Sequence, residues 1–152
     1  MDFGFIRVAA AVPRVKVADV DANVEEMCKL VEQADNEDVS IIAFPELSVT
    51  GYTCGDLFGQ ELLIRKAEEG IKKLKAFSRG KKVTIVAGVP VRVNASLYNC
   101  AAVICNGSLR GIVPKIHLPS YNEFYETRHF MSGSADMGTV QFGGKEIPVG
   151  TN

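Results

Sequence analysis

Three short apolar runs end directly at a proline, and this pattern limits the folds open to the chain. The runs occupy residues 5–12, 39–44 and 108–113, and they are followed by Pro13, Pro45 and Pro114. Each run is short, rich in β-branched or other apolar residues, and closed by a residue that cannot donate to a sheet ladder. The runs therefore predict buried strands that stop where the prolines stand.

Two amphipathic helices are predicted between the first strands. The first follows Asp21, a suitable N-cap, and four apolar residues recur at helical spacing after it: Val24, Met27, Cys28 and Val31. The second is indicated by a longer set with the same spacing: Leu63, Ala67, Gly70, Ile71, Leu74 and Phe77. A strand is then expected over residues 83–89.

An Asn-Gly pair marks a hairpin in the second half of the chain. Asn106-Gly107 separates two apolar runs, residues 96–105 and 108–113, and such a pair is the strongest short hairpin signal. Strands alternating with helices and followed by a hairpin predict an α/β layered domain with a mixed sheet. After Pro114 we expect loops. The last residues, 147–152, resemble the start of another strand or turn, so the chain is expected to be cut from a longer domain.

The overall composition excludes several classes of function. A net charge of -1 gives no broad attraction for nucleic acid or anionic lipid, and no apolar stretch approaches the roughly 20 residues that span a bilayer. The N-terminus lacks the layout of a secretion signal, so a cytoplasmic location is expected. The four cysteines form no CxxC pair and have no histidine at zinc spacing, which predicts no metal site.

Two ionisable residues stand just past predicted strands. Glu46 follows Pro45, and Lys115 follows Pro114. Ligands of layered α/β proteins collect beyond the carboxyl ends of strands, so the two side chains could converge on one site. The simpler alternative is that each faces solvent beside a proline turn.

The surrounding residues resemble known motifs. Residues 45–52, Pro-Glu-Leu-Ser-Val-Thr-Gly-Tyr, and residues 114–119, Pro-Lys-Ile-His-Leu-Pro, resemble the glutamate and lysine motifs of the nitrilase superfamily. Residues 53–58, Thr-Cys-Gly-Asp-Leu-Phe, and residues 120–126, Ser-Tyr-Asn-Glu-Phe-Tyr-Glu, are similar to the glutaminase domains of glutamine-dependent NAD synthetases. The resemblance implies an αββα sandwich with a mixed sheet and helices outside, incomplete here at the C-terminus. Residues 1–152 would form the N-terminal part of the glutaminase domain.

The resemblance also implies roles for individual residues. Glu46 would be the general base, and Lys115 the cation that stabilises the tetrahedral oxyanion. Family members carry a second glutamate soon after the lysine, and Glu123 matches it as the residue that orients Lys115, with Glu126 as the alternative. Tyr52 and Tyr121 match positions that line the glutamine pocket, although each could be an ordinary half-buried aromatic. The motif gives no catalytic role to the two histidines, His117 and His129.

The nucleophile is where the sequence departs from the family pattern. The family cysteine lies some tens of residues beyond the lysine, and no cysteine follows Cys105. Cys54 is close to Glu46 along the chain, but its motif assigns it no nucleophilic role. The glycine-rich ATP loop of the synthetase domain is absent as well.

These features predict a parent enzyme that hydrolyses glutamine and supplies ammonia for the amidation of deamido-NAD to NAD. ATP and magnesium would be needed by the parent's synthetase domain, and this part would hold no cofactor and be inactive alone. A homo-oligomer is expected, because missing strands would leave apolar sheet surface and an unpaired edge. Two alternatives are a fragment of a stand-alone nitrilase-like amidase and a non-catalytic assembly module on the same scaffold.

Overall fold

A computed structural model describes residues 4–151 and contains one mixed sheet with two long helices. The strands are β1 (Val8–Ala10), β2 (Ile41–Ala43), β3 (Thr84–Val93), β4 (Ser96–Cys105), β5 (Ser108–Pro114), β6 (Asp136–Phe142) and β7 (Lys145–Gly150). The helices are α1 (Val20–Asn36), α2 (Glu61–Phe77) and the single turn α3 (Glu126–His129), with a 3₁₀ helix at Gly55–Gly59. The order of the strands in the sheet is β1-β2-β3-β4-β5-β7-β6.

Strand directions follow from the connections. The helical crossovers make β1, β2 and β3 parallel, whereas the tight turns make β3, β4 and β5 antiparallel neighbours. Because β4 reverses the direction and β5 restores it, β2 and β5 run the same way. Their carboxyl ends therefore lie at the same edge of the sheet.

Helices α1 and α2 cover one face of the sheet and form the core with it. Right-handed crossovers place both helices on the same side. The helices approach each other closely at Gly70, where a Cβ atom would lie 2.8 Å from Val20 and 3.0 Å from Val24. Side chains that are fully buried between helices and sheet include Met27, Ile71, Leu74, Ile85 and Ile104. Burial of each such side chain stabilises the fold by roughly 1.5–3 kcal/mol.

The other face of the sheet carries apolar side chains that remain exposed. Val8 and Ile41 are register partners on β1 and β2, and Val113 lies on the same face of β5. All three are substantially accessible. The sequence predicted such an apolar surface; whether it drives self-association stays a prediction.

The structure confirms the predicted α/β class and mixed sheet, and it corrects several details. The N-cap of α1 is Asp19, whose carboxylate accepts the Ala22 N–H, and Asp21 instead lies in the first turn. Strand β3 extends to Val93 and turns into β4 at Asn94, whose φ is 54°. That turn escaped prediction because Asn94 is not followed by glycine.

The region after Pro114 contains a hairpin that the sequence analysis did not predict. Strands β6 and β7 meet at Gly143 and Gly144, both with positive φ, and β7 pairs with β5 in parallel. Gly-Gly is a recognised hairpin pair, but its flanking runs show weak alternation and contain Pro148.

None of the described helices is long and apolar enough to cross a membrane.

Candidate active site

The carboxyl ends of β2 and β5 each lead into a segment that contributes to one site. We call residues 45–52 the first arm and residues 115–130 the second arm. Two strands, β3 and β4, separate β2 from β5, so the arms must reach across them to meet. They do so on the sheet face that the helices leave uncovered.

A glycine in β3 allows the first arm to make this crossing. A Cβ atom on Gly88 would stand 2.3 Å from the Pro45 carbonyl oxygen and 2.4 Å from the Leu47 nitrogen, distances that no side chain allows. The arm then turns at Leu47, whose φ is 52°, and the Val49 N–H donates to the Gly88 carbonyl at 3.1 Å. Gly88 therefore determines where Glu46 can be placed.

The two arms meet at the Lys115 ammonium. Its Nζ donates to Oε1 and Oε2 of Glu46 at 2.8 and 2.9 Å, and to Oε1 of Glu126 at 3.0 Å. The two carboxylates differ in their surroundings: the Glu126 side chain is 4% exposed, whereas that of Glu46 is 50% exposed. The structure thus brings Glu46 and Lys115 together, as the sequence analysis expected, and adds a buried carboxylate.

The glutamate beside Lys115 is Glu126 and not Glu123. Glu123 lies in an exposed turn and makes no hydrogen bond or ion pair to Lys115 among residues 4–151. Glu126 begins α3, and its backbone N–H donates to the Pro119 carbonyl, which turns its side chain inwards. The assignment of Glu123 was wrong because spacing from the lysine cannot show which carboxylate a loop buries.

The two tyrosines have different positions. The Tyr52 hydroxyl donates to Oε1 of Glu126 at 2.6 Å, so this side chain joins the network. It also lines a pocket of about 200 Å³ together with Glu123, Glu126 and His129. Tyr121 is 64% exposed, stacks edge-on against Phe124, and lines a separate open groove beside Lys115. Tyr121 therefore does not share the pocket of Tyr52.

Asn99 is a site residue that the sequence analysis missed. It lies on β4, is 3% exposed, and its side-chain amide donates to Oε2 of Glu46 at 3.3 Å. A sequence signal existed, since asparagine is disfavoured in strand interiors and a buried one needs a polar partner.

Electrostatics keep the central cation charged. Burial by itself lowers the pKa of Lys115, but the hydrogen bonds and charges of Glu46 and Glu126 outweigh it, so the net shift is upwards. Burial raises the pKa of Tyr52, and its hydrogen bond to Glu126 adds to that rise. At neutral pH the site therefore contains an ammonium, and a neutral phenol donates to the carboxylate behind it.

The cysteines of the chain are not arranged as nucleophiles at this site. Cys54 is buried, its Sγ lies 3.2 Å from the Thr50 carbonyl, and burial raises the pKa of its thiol. Cys100 follows Asn99 and pairs with Val89, so its side chain points to the helix face, and burial raises its pKa to about 12. A thiol with a raised pKa is protonated at neutral pH and reacts poorly.

Residues 4–151 also contain no cluster of His, Cys, Asp and Glu that could hold a metal ion.

The arrangement suits acyl-transfer chemistry. A fixed ammonium can stabilise an oxyanion, and an accessible carboxylate bonded to it can carry a proton. The buried carboxylate, which already accepts from Tyr52 and Lys115, is better suited to holding the ammonium in place. A pocket of about 240 Å³ lies directly beside Glu46, Asn99 and Lys115.

Comparison with known proteins identifies related chains. The family model for carbon-nitrogen hydrolases matches residues 7–151. The glutamine-dependent NAD(+) synthetase of Mycobacterium tuberculosis is 34% identical over 149 residues, which is 98% of this chain and 22% of the relative. The chain thus spans about a fifth of the length of that relative.

Solved structures give the same result for the fold. The crystal structure of a glutamine-dependent NAD(+) synthetase from Cytophaga hutchinsonii superposes with a TM-score of 0.90 at 30% identity, covering 97% of this chain and 25% of that one. A variant of an amidase of the nitrilase superfamily from Nesterenkonia AN1 superposes with a TM-score of 0.76 at 16% identity, covering 96% and 56%. The latter likeness shows the fold alone. Together they confirm the predicted nitrilase-like fold and the resemblance to glutamine-dependent NAD synthetases.

Proposed function

Because the chain belongs to the carbon-nitrogen hydrolase family, we propose that its site hydrolyses the side-chain amide of glutamine within a longer enzyme. The observation that carries this proposal is the Lys115 ammonium held between Glu46 and Glu126. The 34% identity to a glutamine-dependent NAD(+) synthetase supports glutamine as the amide.

The proposed reaction begins with a cysteine thiol, which the family resemblance places beyond the lysine. Glu46 takes the thiol proton, and the thiolate attacks the amide carbon to give a tetrahedral oxyanion beside Lys115. Glu46 then returns the proton to the leaving nitrogen, so that ammonia departs and a thioester remains. Water attacks the thioester, Glu46 takes its proton and passes it to the departing sulfur, and glutamate is released.

The geometry supports different tasks for the two carboxylates. Glu46 is half exposed, so it can reach both the thiol and the substrate nitrogen. Glu126 is buried, and its Oε1 already accepts from Lys115 and Tyr52, which favours an orienting role.

Lys115 must release one donor to bind the oxyanion. Its three hydrogen bonds all go to carboxylate oxygens. A proton on Glu46 removes the negative charge that attracts the ammonium, so the first proton transfer also frees an N–H. Glu46 therefore acts first as the base, and Lys115 then binds the oxyanion.

In the longer enzyme, the ammonia would pass to a synthetase domain that amidates deamido-NAD with consumption of ATP, assisted by magnesium. The relatives' designation as glutamine-dependent NAD(+) synthetases supports this larger function. Glutamine, deamido-NAD and ATP are accordingly the proposed substrates of the whole protein.

An ammonia-release assay tests the glutaminase proposal. A polypeptide extended to include the expected cysteine should release ammonia from glutamine, and Glu46→Gln or Lys115→Met should each lower kcat by about 10²-fold or more. The exposed pair Glu26 and Lys29 offers matched controls, so Glu26→Gln and Lys29→Met should keep activity within about twofold.

Other outcomes separate the alternatives. Release from another amide but not from glutamine would favour a stand-alone amidase. A protein that is ordered but releases ammonia from none of the amides would favour an assembly module.

The 152-residue chain alone should release no measurable ammonia. The thiols of Cys54 and Cys100 are buried with raised pKa values and cannot replace the nucleophile, and the loss of one member of a coupled catalytic set costs orders of magnitude. Glutaminase activity in the short chain that Cys54→Ala abolishes would contradict this prediction.

A further inference from the structure

We propose that Asn99 is a positioning residue that fixes the orientation of the Glu46 carboxylate and so selects Oε1 as the oxygen that carries the proton. Asn99 belongs to neither motif that suggested the site. It lies on β4, the strand next to the one that leads into Lys115. It is almost completely buried although Glu46, its partner, is half exposed.

Asn99 contacts both functional residues, each through a different group. Its side-chain amide donates to Oε2 of Glu46 at 3.3 Å, and its main-chain carbonyl accepts the Lys115 backbone N–H at 2.8 Å. The main-chain bond continues the β4–β5 ladder and sets where the Lys115 side chain starts. Through these two bonds, the buried Asn99 fixes the Glu46 carboxylate and the Lys115 backbone relative to each other.

The amide makes the two oxygens of Glu46 different. Oε2 accepts from both Asn99 and Lys115, whereas Oε1 accepts, among residues 4–151, from Lys115 alone. The last torsion of a glutamate side chain is broad, so without the amide the plane of the carboxylate could turn to another angle and move both oxygens from their present positions. At 3.3 Å the bond is longer than the typical length, so it serves mainly to orient. The free lone pairs are therefore concentrated on Oε1.

The closeness of Lys115 does not make this role redundant. Its Nζ reaches the two oxygens at nearly equal distances, 2.8 and 2.9 Å, and so does not distinguish between them. Among the described residues, the Asn99 amide is the group that contacts only one oxygen of Glu46.

A structural experiment tests the placement without any activity. Crystal structures of the 152-residue chain, unaltered and with Asn99→Ala, should show the Glu46 carboxylate fixed in the first and rotated or in two conformers in the second. Ser78→Ala is the matched control, since Ser78 is a buried polar residue outside both arms whose hydroxyl bonds main-chain groups, of Lys75 and Gly107. A Glu46 carboxylate unchanged by Asn99→Ala would overturn the proposal.

A kinetic experiment, which rests on the proposed glutaminase function, tests the consequence. In the polypeptide that includes the cysteine, Asn99→Ala should lower kcat about tenfold with KM changed less than about twofold. In a Glu46→Gln background, Asn99→Ala should add almost nothing, because the group it orients is gone. A purely structural asparagine would lower activity by the same factor in both backgrounds, as any effect of Ser78→Ala should.

The outcomes of the two proposals are distinguishable. If the unaltered polypeptide releases no ammonia, the glutamine assignment fails and the crystal structures alone decide the role of Asn99. The role of Asn99 fails, while the glutaminase function stands, if the unaltered polypeptide is active and the Asn99→Ala variant has the same kcat. It fails equally if the effects of Asn99→Ala and Glu46→Gln on kcat multiply.

Discussion

The first and second arms reach the same site by different means. The first arm is short, and its turn is held by buried contacts: Val49 to Gly88, Thr50 and Gly51 to Leu47, and Asn23 to Val49. The second arm is twice as long and largely exposed, with Tyr121 and Tyr125 facing solvent. Two of its residues, Glu126 and Phe130, are buried, and Glu126 is the one that contacts Lys115.

This contrast explains which motif assignments agreed with the structure. In the first arm, residues 47–51 are buried and their packing fixes the turn, so Glu46 and Tyr52 on either side both point into the network. In the second arm several acidic and aromatic residues lie close together along the chain, and only the fold decides which one is buried. A motif match therefore locates a functional side chain more reliably in a tightly packed segment than in an exposed loop.

The largest effect is expected where the first arm crosses the sheet. Gly88→Ala should lower the free energy of unfolding by about 3 kcal/mol or more, because the new methyl would overlap the backbone of residues 45–47. Gly111→Ala on β5 is the matched control: its Cβ would meet nothing closer than 3.7 Å, so its change should stay within about 1 kcal/mol. Urea titration of the 152-residue chain measures both. Equal effects would show that the crossing does not constrain the arm.

The second-largest loss of stability is expected at Glu126, and Glu123 of the same arm serves as its control. Glu126→Gln should destabilise the chain by about 2 kcal/mol, since it removes a buried charge from the Lys115 pair while Glu46 still compensates the ammonium. Glu123→Gln should change the free energy of unfolding by less than about 0.5 kcal/mol, because its carboxylate is exposed. Thermal and urea unfolding compare them. A larger loss for Glu123→Gln would restore the original assignment.

The sequence predicted the sheet better than it predicted the site. Prolines after apolar runs, helical spacing and the Asn-Gly turn were local signals, and each matched an observed element. The first run was nevertheless wrong as a buried strand, because only Val8–Ala10 forms β1 and the apolar side chains of Phe5, Val8 and Val12 are exposed. The bonds from Lys115 to Glu126 and from Asn99 to Glu46 span 11 and 53 positions along the chain. Local spacing carries no information about such contacts, because burial and strand register decide them. Gly88 shows the same limit, since its importance depends on a segment some 40 positions away in the sequence.

A smaller effect is expected at the link between the arms that ends on a buried carboxylate, the hydrogen bond from Tyr52, itself 38% exposed, to Glu126. Tyr52→Phe should lower the free energy of unfolding by about 1–2 kcal/mol, because it removes a donor to a buried carboxylate and keeps the ring. Tyr121→Phe should have almost no effect, since Tyr121 is mostly exposed. Equal urea midpoints for Tyr52→Phe and the unaltered chain would mean that the hydroxyl does not join the arms.

The same tyrosine predicts a difference at alkaline pH. The pKa of Tyr52 is raised above its ordinary value of 10.0 in the folded chain, so the folded state holds this proton more tightly than the unfolded state. Its contribution is fully present below pH 10.0 and is lost as the pH rises towards the folded pKa. Tyr52→Phe removes this dependence, so the variant should lose less stability than the unaltered chain as the pH rises above about 10. Parallel pH profiles would contradict it.

The smallest effect is expected at the exposed link between the two regions. Arg128, at the end of the second arm, contacts Asp56, just beyond the first arm, with an N–O distance of 3.1 Å. Both side chains are largely exposed, so water and salt screen their attraction, and holding two flexible side chains costs entropy. Asp56→Asn should therefore change the free energy of unfolding by less than about 0.5 kcal/mol and leave its salt dependence nearly unaltered. The double variant Asp56→Asn with Tyr52→Phe should show additive effects, because the exposed ion pair and the buried hydrogen bond share no atoms. The opposite result would be a loss from Asp56→Asn that equals the loss from Tyr52→Phe and disappears at high salt. The exposed ion pair would then hold the arms together as strongly as the buried bond, and burial would not distinguish the two links.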